Sequence, residues 1–209
     1  WTAKKRYILN VWNSEGVQYS EPKLKVMGIE AVKSSTPAPC RQMIKDGLKL
    51  MMNGTEEDVI EFIDKCRVEF KALPPEQIAF PRTVSDVRKY HSHSSIYSKG
   101  TPIHARGALL FNHYIKDKKL TNKYSLIANG EKIKFLYLKK PNIIQENVIS
   151  FIQDFPHELG LDKYIDYDLQ FEKSFVEPLK AILDAIGWNV EKTVNLELFF
   201  AWWICLLTT

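Results

Sequence analysis

KKRYILNVWNSEGVQYSEPKLKVMG, residues 4–28, decides the start of the fold. Tyr7 to Trp12 is rich in β-formers and alternates, Asn13 to Gly16 is a turn signal, and Val17 to Glu21 resumes an extended pattern. The three together predict a β-hairpin. Pro22 interrupts the run. Lys23-Leu24-Lys25-Val26-Met27 then alternates cation with apolar residue, as a strand with one charged face does. Lys4, Lys5 and Arg6 crowd the start of the hairpin. If all these stretches share a sheet, five cations converge on one face, with Tyr7 as a flat, hydrogen-bonding neighbour. Such a face can grip phosphates or probe a duplex groove. A charged sheet edge that discourages strand aggregation has the same composition.

Outward from the hairpin, Gly28 and the SSTPAP stretch (34–39) punctuate the β region, and helical spacing follows. From Cys40, Met43, Ile44, Leu48 and Met51 fall on one face, and Asn53-Gly54 ends the run. Thr55 opens TEED, an N-cap with an acidic first turn. Val59, Ile63, Cys66 and Phe70 then form an apolar stripe. Two antiparallel helices closed by Pro74-Pro75 are expected. Beyond them the pattern predicts a short strand over Ile78–Phe80, a short helix from Thr83 to Tyr90 and a polar loop over 91–102. A helix from Pro102 to about Lys116 follows, then strands over Ile133–Leu138 and Val148–Ile152. A long helix from about Asp166 to Ile186 presents Phe175, Leu179, Ile182 and Ile186 on one side and bends at Pro178.

The chain has 209 residues, 45% hydrophobic and 12% aromatic, enough for a sizeable core. Cys40, Cys66 and Cys205 are odd in number and widely spaced, which indicates neither a disulfide framework nor a zinc site and fits a reducing cytoplasm. The longest apolar run, Leu198 to Leu207, is too short to span a bilayer, so no membrane partner is expected. The net charge of +4 hides a strong polarity. Residues 88–123 carry eight Lys/Arg against Asp117, and residues 143–209 carry four Lys against eleven acids. One part of the chain suits a polyanion and another repels it.

Asp166 and Asp168 stand two apart, a spacing that on a strand could bind Mg²⁺ for nuclease chemistry; an acidic start to the following helix is favoured instead. His91 and His93 lack a third ligand nearby, and Cys66 reads as core. No metal site is therefore expected. Leu196, Leu198, Phe199 and Phe200, in an acidic region, read either as a short apolar peptide for a partner's pocket or as a core-packing terminal element.

Several stretches resemble the family B replicative DNA polymerases of large tailed phages. W-x-A-K-K-R-Y-x-L-N-V is matched at Trp1, Ala3 to Tyr7 and Leu9 to Val11. E-P-K-L-K-V-M-G follows at Glu21 to Gly28, then S-S-T-P at Ser34 to Pro37. P-I-H-A-R-G at Pro102 to Gly107 is similar to a thumb segment of that family. F-x-K-S-F-V-x-P-L at Phe171 to Leu179 is similar to its last long helix, and N-L-E-L-F-F at Asn195 to Phe200 to its clamp-binding peptide. The matches keep the family's order.

The resemblance implies an α+β fold in a C-terminal fragment. Residues 1–33 would be the last antiparallel strands of the palm. Residues 34–192 would be a mainly helical thumb with a β-rich subregion near 125–155, and residues 193–209 a tail. AWWICLLTT extends beyond the family's usual end, and its apolarity suits folding back onto the thumb. The implied DNA contacts are Lys4, Lys5, Arg6, Tyr7, Lys23, Lys25, Ser34, Ser35, Thr36, His104, Arg106 and Gly107. Leu196, Leu198, Phe199 and Phe200 would bind a sliding clamp. The parent enzyme would add deoxynucleotides to a primer with two Mg²⁺, in the host cytoplasm, with the remaining palm, fingers and exonuclease domains as partners. The family's Tyr-Gly-Asp-Thr-Asp string is missing here, so no catalytic residue is assigned, no cofactor is expected in this fragment, and it should be inactive alone. A free-standing DNA-binding or clamp-interacting module is the alternative.

Overall fold

The computed structural model describes residues 5–85, 87–90 and 92–191. Lys4, His91, the peptide containing Leu196, Leu198, Phe199 and Phe200, and the AWWICLLTT tail lie outside them. The fold is mixed α and β, with one two-stranded and one three-stranded antiparallel sheet.

β1 (Tyr7–Ser14) and β2 (Val17–Met27) form the expected hairpin, turning through Glu15 and Gly16, both at positive φ. The register sets Tyr7 opposite Met27, Leu9 opposite Lys25 and Val11 opposite Lys23. Pro22 does not break β2, contrary to the expectation from sequence. β2 lies at a sheet edge, where a proline's missing N–H costs no ladder bond. Ile8, Leu24 and Val26 turn toward the core, which leaves Tyr7, Leu9, Lys23, Lys25 and Met27 on the outward face.

The helical pair is α1 (Ala38–Asn53) and α2 (Glu56–Lys71). Pro39 sits in the first turn of α1, where its fixed φ favours helix initiation. Thr55 and Asp58 form a reciprocal capping box, Thr55 N donating to Asp58 Oδ2 at 2.8 Å. Cys40, Ile44 and Leu48 of α1 meet Val59, Ile63, Cys66 and Phe70 of α2 in the core. Burial pushes the Cys40 thiol up to about 11 and the Cys66 thiol to about 12, so both act as small apolar groups.

Beyond the one-turn α3 (Pro75–Ile78), β3 (Phe80–Thr83) pairs with β4 (Lys132–Tyr137), and β4 with β5 (Val148–Phe151). The expected strand over Ile78–Phe80 is thus displaced: Ile78 ends α3, and Thr83 ends β3 rather than capping a helix. A 3₁₀ turn spans Val87–Tyr90, and the expected polar loop contains a one-turn helix, α4 (His93–Ile96), capped by Ser92.

α5 (Ile103–Asp117) packs on β5. The approach is close because Gly107 has no side chain: a Cβ there would overlap Ser150 Oγ and lie 3.0 Å from Ser150 N. β5 is buried along its whole length.

The long final helix is continuous but irregular: α6 (Tyr167–Phe171), a π turn (Glu172–Val176), α7 (Glu177–Leu183) and a 3₁₀ turn to Ile186. The π turn directly precedes Pro178, whose ring nitrogen cannot donate, and the wider turn accommodates the missing bond. Phe175, Leu179 and Ile182 are buried as expected. Ile186 is not: it is 51% exposed in the last turn. Phe70, Phe171 and Phe175 stack successively, with centroids 5.2 and 5.0 Å apart. Gln170 is fully buried and satisfied, donating to Ile78 O at 2.8 Å and accepting from Tyr137 N at 3.2 Å.

Candidate nucleic-acid interface

The hairpin does not present its cations as one face. Lys5 is exposed, at φ 64°, and its carbonyl presses on Gly28 so closely that a Cβ there would lie 3.1 Å from Lys5 C. Gly28, at φ 68°, satisfies both the turn and the contact. Lys23 and Lys25 are exposed on the outward face, Lys23 lying 4.0 Å from the Tyr19 ring centroid, and Tyr7 is half-buried beside them. Arg6 is half-buried and ion-paired to Glu30 at 3.2 Å, and Glu30 also accepts from Lys33 at 2.7 Å. The Glu30 carboxyl sits below its usual range: burial works against the charged form, but the Lys33 hydrogen bond and the Lys33 and Arg6 charges outweigh it. Of the five cations expected to converge, Lys4 lies outside the described residues and Arg6 is engaged by Glu30. Lys5, Lys23 and Lys25 stay exposed, while Arg6 ties the hairpin to the turn at Glu30–Val32.

A second, better-formed basic surface lies between the loop before α1 and the β3–β4 pair. Two adjoining cavities of about 530 and 330 Å³ share Ser34 and Pro81 in their walls. Arg41, Lys134 and Glu76 line the first; Ser35, Arg82, Thr83 and Lys132 line the second. Arg82 Nη1 donates to Ser35 O at 2.9 Å and to Pro81 O at 3.0 Å, which fixes the guanidinium at the mouth of the groove. Antiparallel pairing sets Lys132 opposite Thr83 and Lys134 opposite Pro81, and so puts both lysines on one face. Lys134 Nζ donates to Glu76 O at 3.1 Å. The acid of the groove is engaged inward: Glu76 Oε1 accepts from Phe155 N at 2.9 Å and faces His157 Nε2 at 3.9 Å. Arg41 and Lys134 thus line the cavity that also holds Glu76, and Arg82 and Lys132 line the adjoining one.

Of the three hydroxyl residues expected to meet phosphate, Ser34 is exposed and Ser35 half-buried at this groove, whereas Thr36 is only 5% exposed, turned into the fold by the start of α1. His104 and Arg106 point to different neighbours. His104 lies 6.2 Å from the Phe135 ring; burial first and the Arg82 charge second hold its imidazole below the usual range. Arg106 Nη2 donates to Asn147 Oδ1 at 2.6 Å. Gly107 faces β5, which makes it a packing residue. Arg41, Arg82, Lys132 and Lys134 were missed from sequence because their spacing, from 41 to 134, shows no local cluster. The β3–β4 register puts Lys132 and Lys134 on one face, while Arg41 comes from α1 and Arg82 stands opposite Ile133.

Asp166 and Asp168 do not form a carboxylate pair. Asp166 Oδ1 caps α6 by accepting from Leu169 N at 3.1 Å. Asp168 pairs with Lys71 at 2.7 Å and Lys139 at 3.7 Å, and the Lys71 hydrogen bond holds its carboxyl below the usual range. The nuclease reading loses its basis.

No family model matches the chain. Two curated proteins, each described as a DNA-directed DNA polymerase, are similar over nearly all of it. The Enterobacteria phage T4 protein is 30% identical over 204 residues, covering 96% of this chain, and the Escherichia phage RB69 protein is 34% identical over 201 residues, covering 94%. This chain is homologous to phage DNA polymerases. The similarity extends over nearly the whole chain, as the resemblance read from the sequence implies. The polymerase homologue spans 22% of the length of each relative. Among its described residues, no helix is long and apolar enough to cross a membrane.

Proposed function

We propose that the chain is the C-terminal part of a phage family B DNA-directed DNA polymerase and grips primer–template DNA during nucleotide addition. The observation that carries this reading is the match to two phage DNA polymerases over nearly the whole chain. Residues 1–33 close the palm, 34–192 form the thumb, and 193–209 carry the clamp-binding peptide. The hairpin, with exposed Lys5, Lys23 and Lys25, meets the duplex near the primer end. The groove of Ser34, Ser35, Arg41, Arg82, Lys132 and Lys134 follows the phosphate backbone. Neither surface offers a fixed donor–acceptor pattern for base edges, which suits a protein that must accept every sequence. The two Mg²⁺ of nucleotidyl transfer do not fit the described residues, since Asp166 and Asp168 are separately engaged; they belong to the parent's catalytic carboxylates, and this chain serves by binding and positioning.

The test is a salt series of binding to primer–template, blunt duplex and single strand, with the intact chain and with Arg82→Ala/Lys132→Ala. Expected are tighter binding to primer–template than to single strand and a log–log salt slope shallower by roughly two units in the double variant, about one per lost phosphate contact. An unchanged slope would remove the groove from the interface, and equal affinity for all three nucleic acids would overturn primer–template recognition.

A further inference from the structure

Glu146 is the one buried charged side chain among the described residues, at 8% exposure. No cation lies within ion-pair distance of it there. Its carboxylate Oε1 accepts from the Tyr97 hydroxyl at 2.5 Å. The Arg106 guanidinium is turned to Asn147. A carboxylate taken out of water without a counter-charge is costly, and such groups are normally completed by a cation. Its surroundings are shaped for one. Glu146 lines a cavity of about 530 Å³ whose walls include Tyr97, Tyr114, Ile96, Leu109 and Ile144. Tyr114 is fixed by donating to Ile144 O at 3.4 Å, and Glu146 by backbone bonds on both sides to Asn142, Nδ2 to its carbonyl at 2.5 Å and Oδ1 from its N–H at 3.3 Å.

We propose that this cavity, formed between α4, α5 and the 142–147 loop, binds a primary alkylammonium group, its charge on Glu146 and its methylene stem along Ile96, Leu109 and Ile144. Tyr97 and Tyr114 line the same cavity, and aromatic rings attract a cation through their quadrupoles. A guanidinium fits less well, because it prefers a carboxylate with both oxygens free for a forked pair, and Oε1 already holds Tyr97. A compact ammonium needs only the remaining edge. The site is separate from the basic groove, which repels cations, so it stands or falls independently of DNA binding.

The test titrates the full chain with butylammonium chloride, butan-1-ol and methylguanidinium, followed by ¹H–¹⁵N shifts of residues 96–97, 109–114 and 144–146. Butylammonium should give saturable shifts confined to those residues, with methylguanidinium at least several-fold weaker and butanol weaker still. Glu146→Gln keeps the acceptor for Tyr97 and should weaken butylammonium by about tenfold or more, with shifts elsewhere unchanged. Tyr97→Phe, which keeps wall and carboxylate, should bind at least as tightly, and it tests the site if Glu146→Gln does not fold. Butanol matching butylammonium, methylguanidinium binding tighter, or Glu146→Gln binding unchanged would each overturn the proposal. Tighter binding of Nα-acetyl-lysine methylamide than of butylammonium would support it with a protein's lysine as the source; equal or weaker binding would support it with a free amine.

Discussion

Replacing Gly107 by alanine sets two effects of opposite sign against each other. In an exposed helix interior the change stabilises by about 1 kcal/mol, because glycine is the poorer helix former. Here the new Cβ would overlap Ser150 Oγ and lie 3.0 Å from Ser150 N and 3.1 Å from Ile149 C. Ser150 is fully buried and its hydroxyl donates to His104 O at 3.0 Å, so it cannot yield without losing that bond. Overpacking a well-filled contact costs about 1–3 kcal/mol, and the lost hydrogen bond roughly 1 kcal/mol. The net effect is destabilisation of about 1–3 kcal/mol, a fall in Tm of roughly 2–12 °C for a chain of this size. Urea unfolding of the full chain measures it as a lower midpoint at unchanged slope. In a Ser150→Ala background the overlap with Oγ disappears and only the backbone contacts remain. The added cost of Gly107→Ala should shrink by at least about 0.5 kcal/mol, the coupling expected of touching residues. A midpoint that rises on Gly107→Ala alone refutes the close packing of α5 on β5.

Two further outcomes are expected. Glu158 accepts from Lys123 and Tyr124, and these bonds, the lysine's first, hold its carboxyl down at about 2 from 4.5. The folded value is the lower one, so the stabilisation is complete above the unfolded value and is lost as pH falls from about 4.5 through 2; Glu158→Gln should flatten the urea midpoint over that window, and an unchanged profile would argue against the pair. In DNA binding, Lys5→Ala should reduce the salt slope by roughly one unit for all sequences alike, whereas Arg6→Ala, already paired with Glu30, should reduce it by less; equal reductions would mean that Arg6 leaves Glu30 for phosphate.

Where one element's own periodicity sufficed, the fold was legible in the sequence. The alternation of Tyr7–Trp12, the N-cap at Thr55 with its acidic first turn, and the stripe of Val59, Ile63, Cys66 and Phe70 each specify structure through neighbours close in sequence. Misreadings fall where long-range pairing overrides local signals. Pro22 reads as a break until β2 is known to be an edge. Thr83 reads as a cap until β4 claims it as a strand residue. Of the residues expected to contact DNA, Ser34 and Ser35 line a groove with basic walls. Arg41, Arg82, Lys132 and Lys134 drew no notice, because no window of sequence holds α1, β3 and β4 together. Conversely, charge alone overstated Arg6, since its partner Glu30 lies 24 positions away.

Glu30 carries a mechanical consequence. It sits in a turn whose neighbours Ile29 and Ala31 are buried in the core, and it holds Arg6 on one side and Lys33 on the other. Together with the seat of the Lys5 carbonyl on Gly28, it acts as a brace at the root of the β1–β2 arm, which joins no further strand among the described residues. A pull on the arm's exposed lysines reaches α1 through that brace, so the angle at which the arm meets its load is set at residues 28–33, far from the load itself.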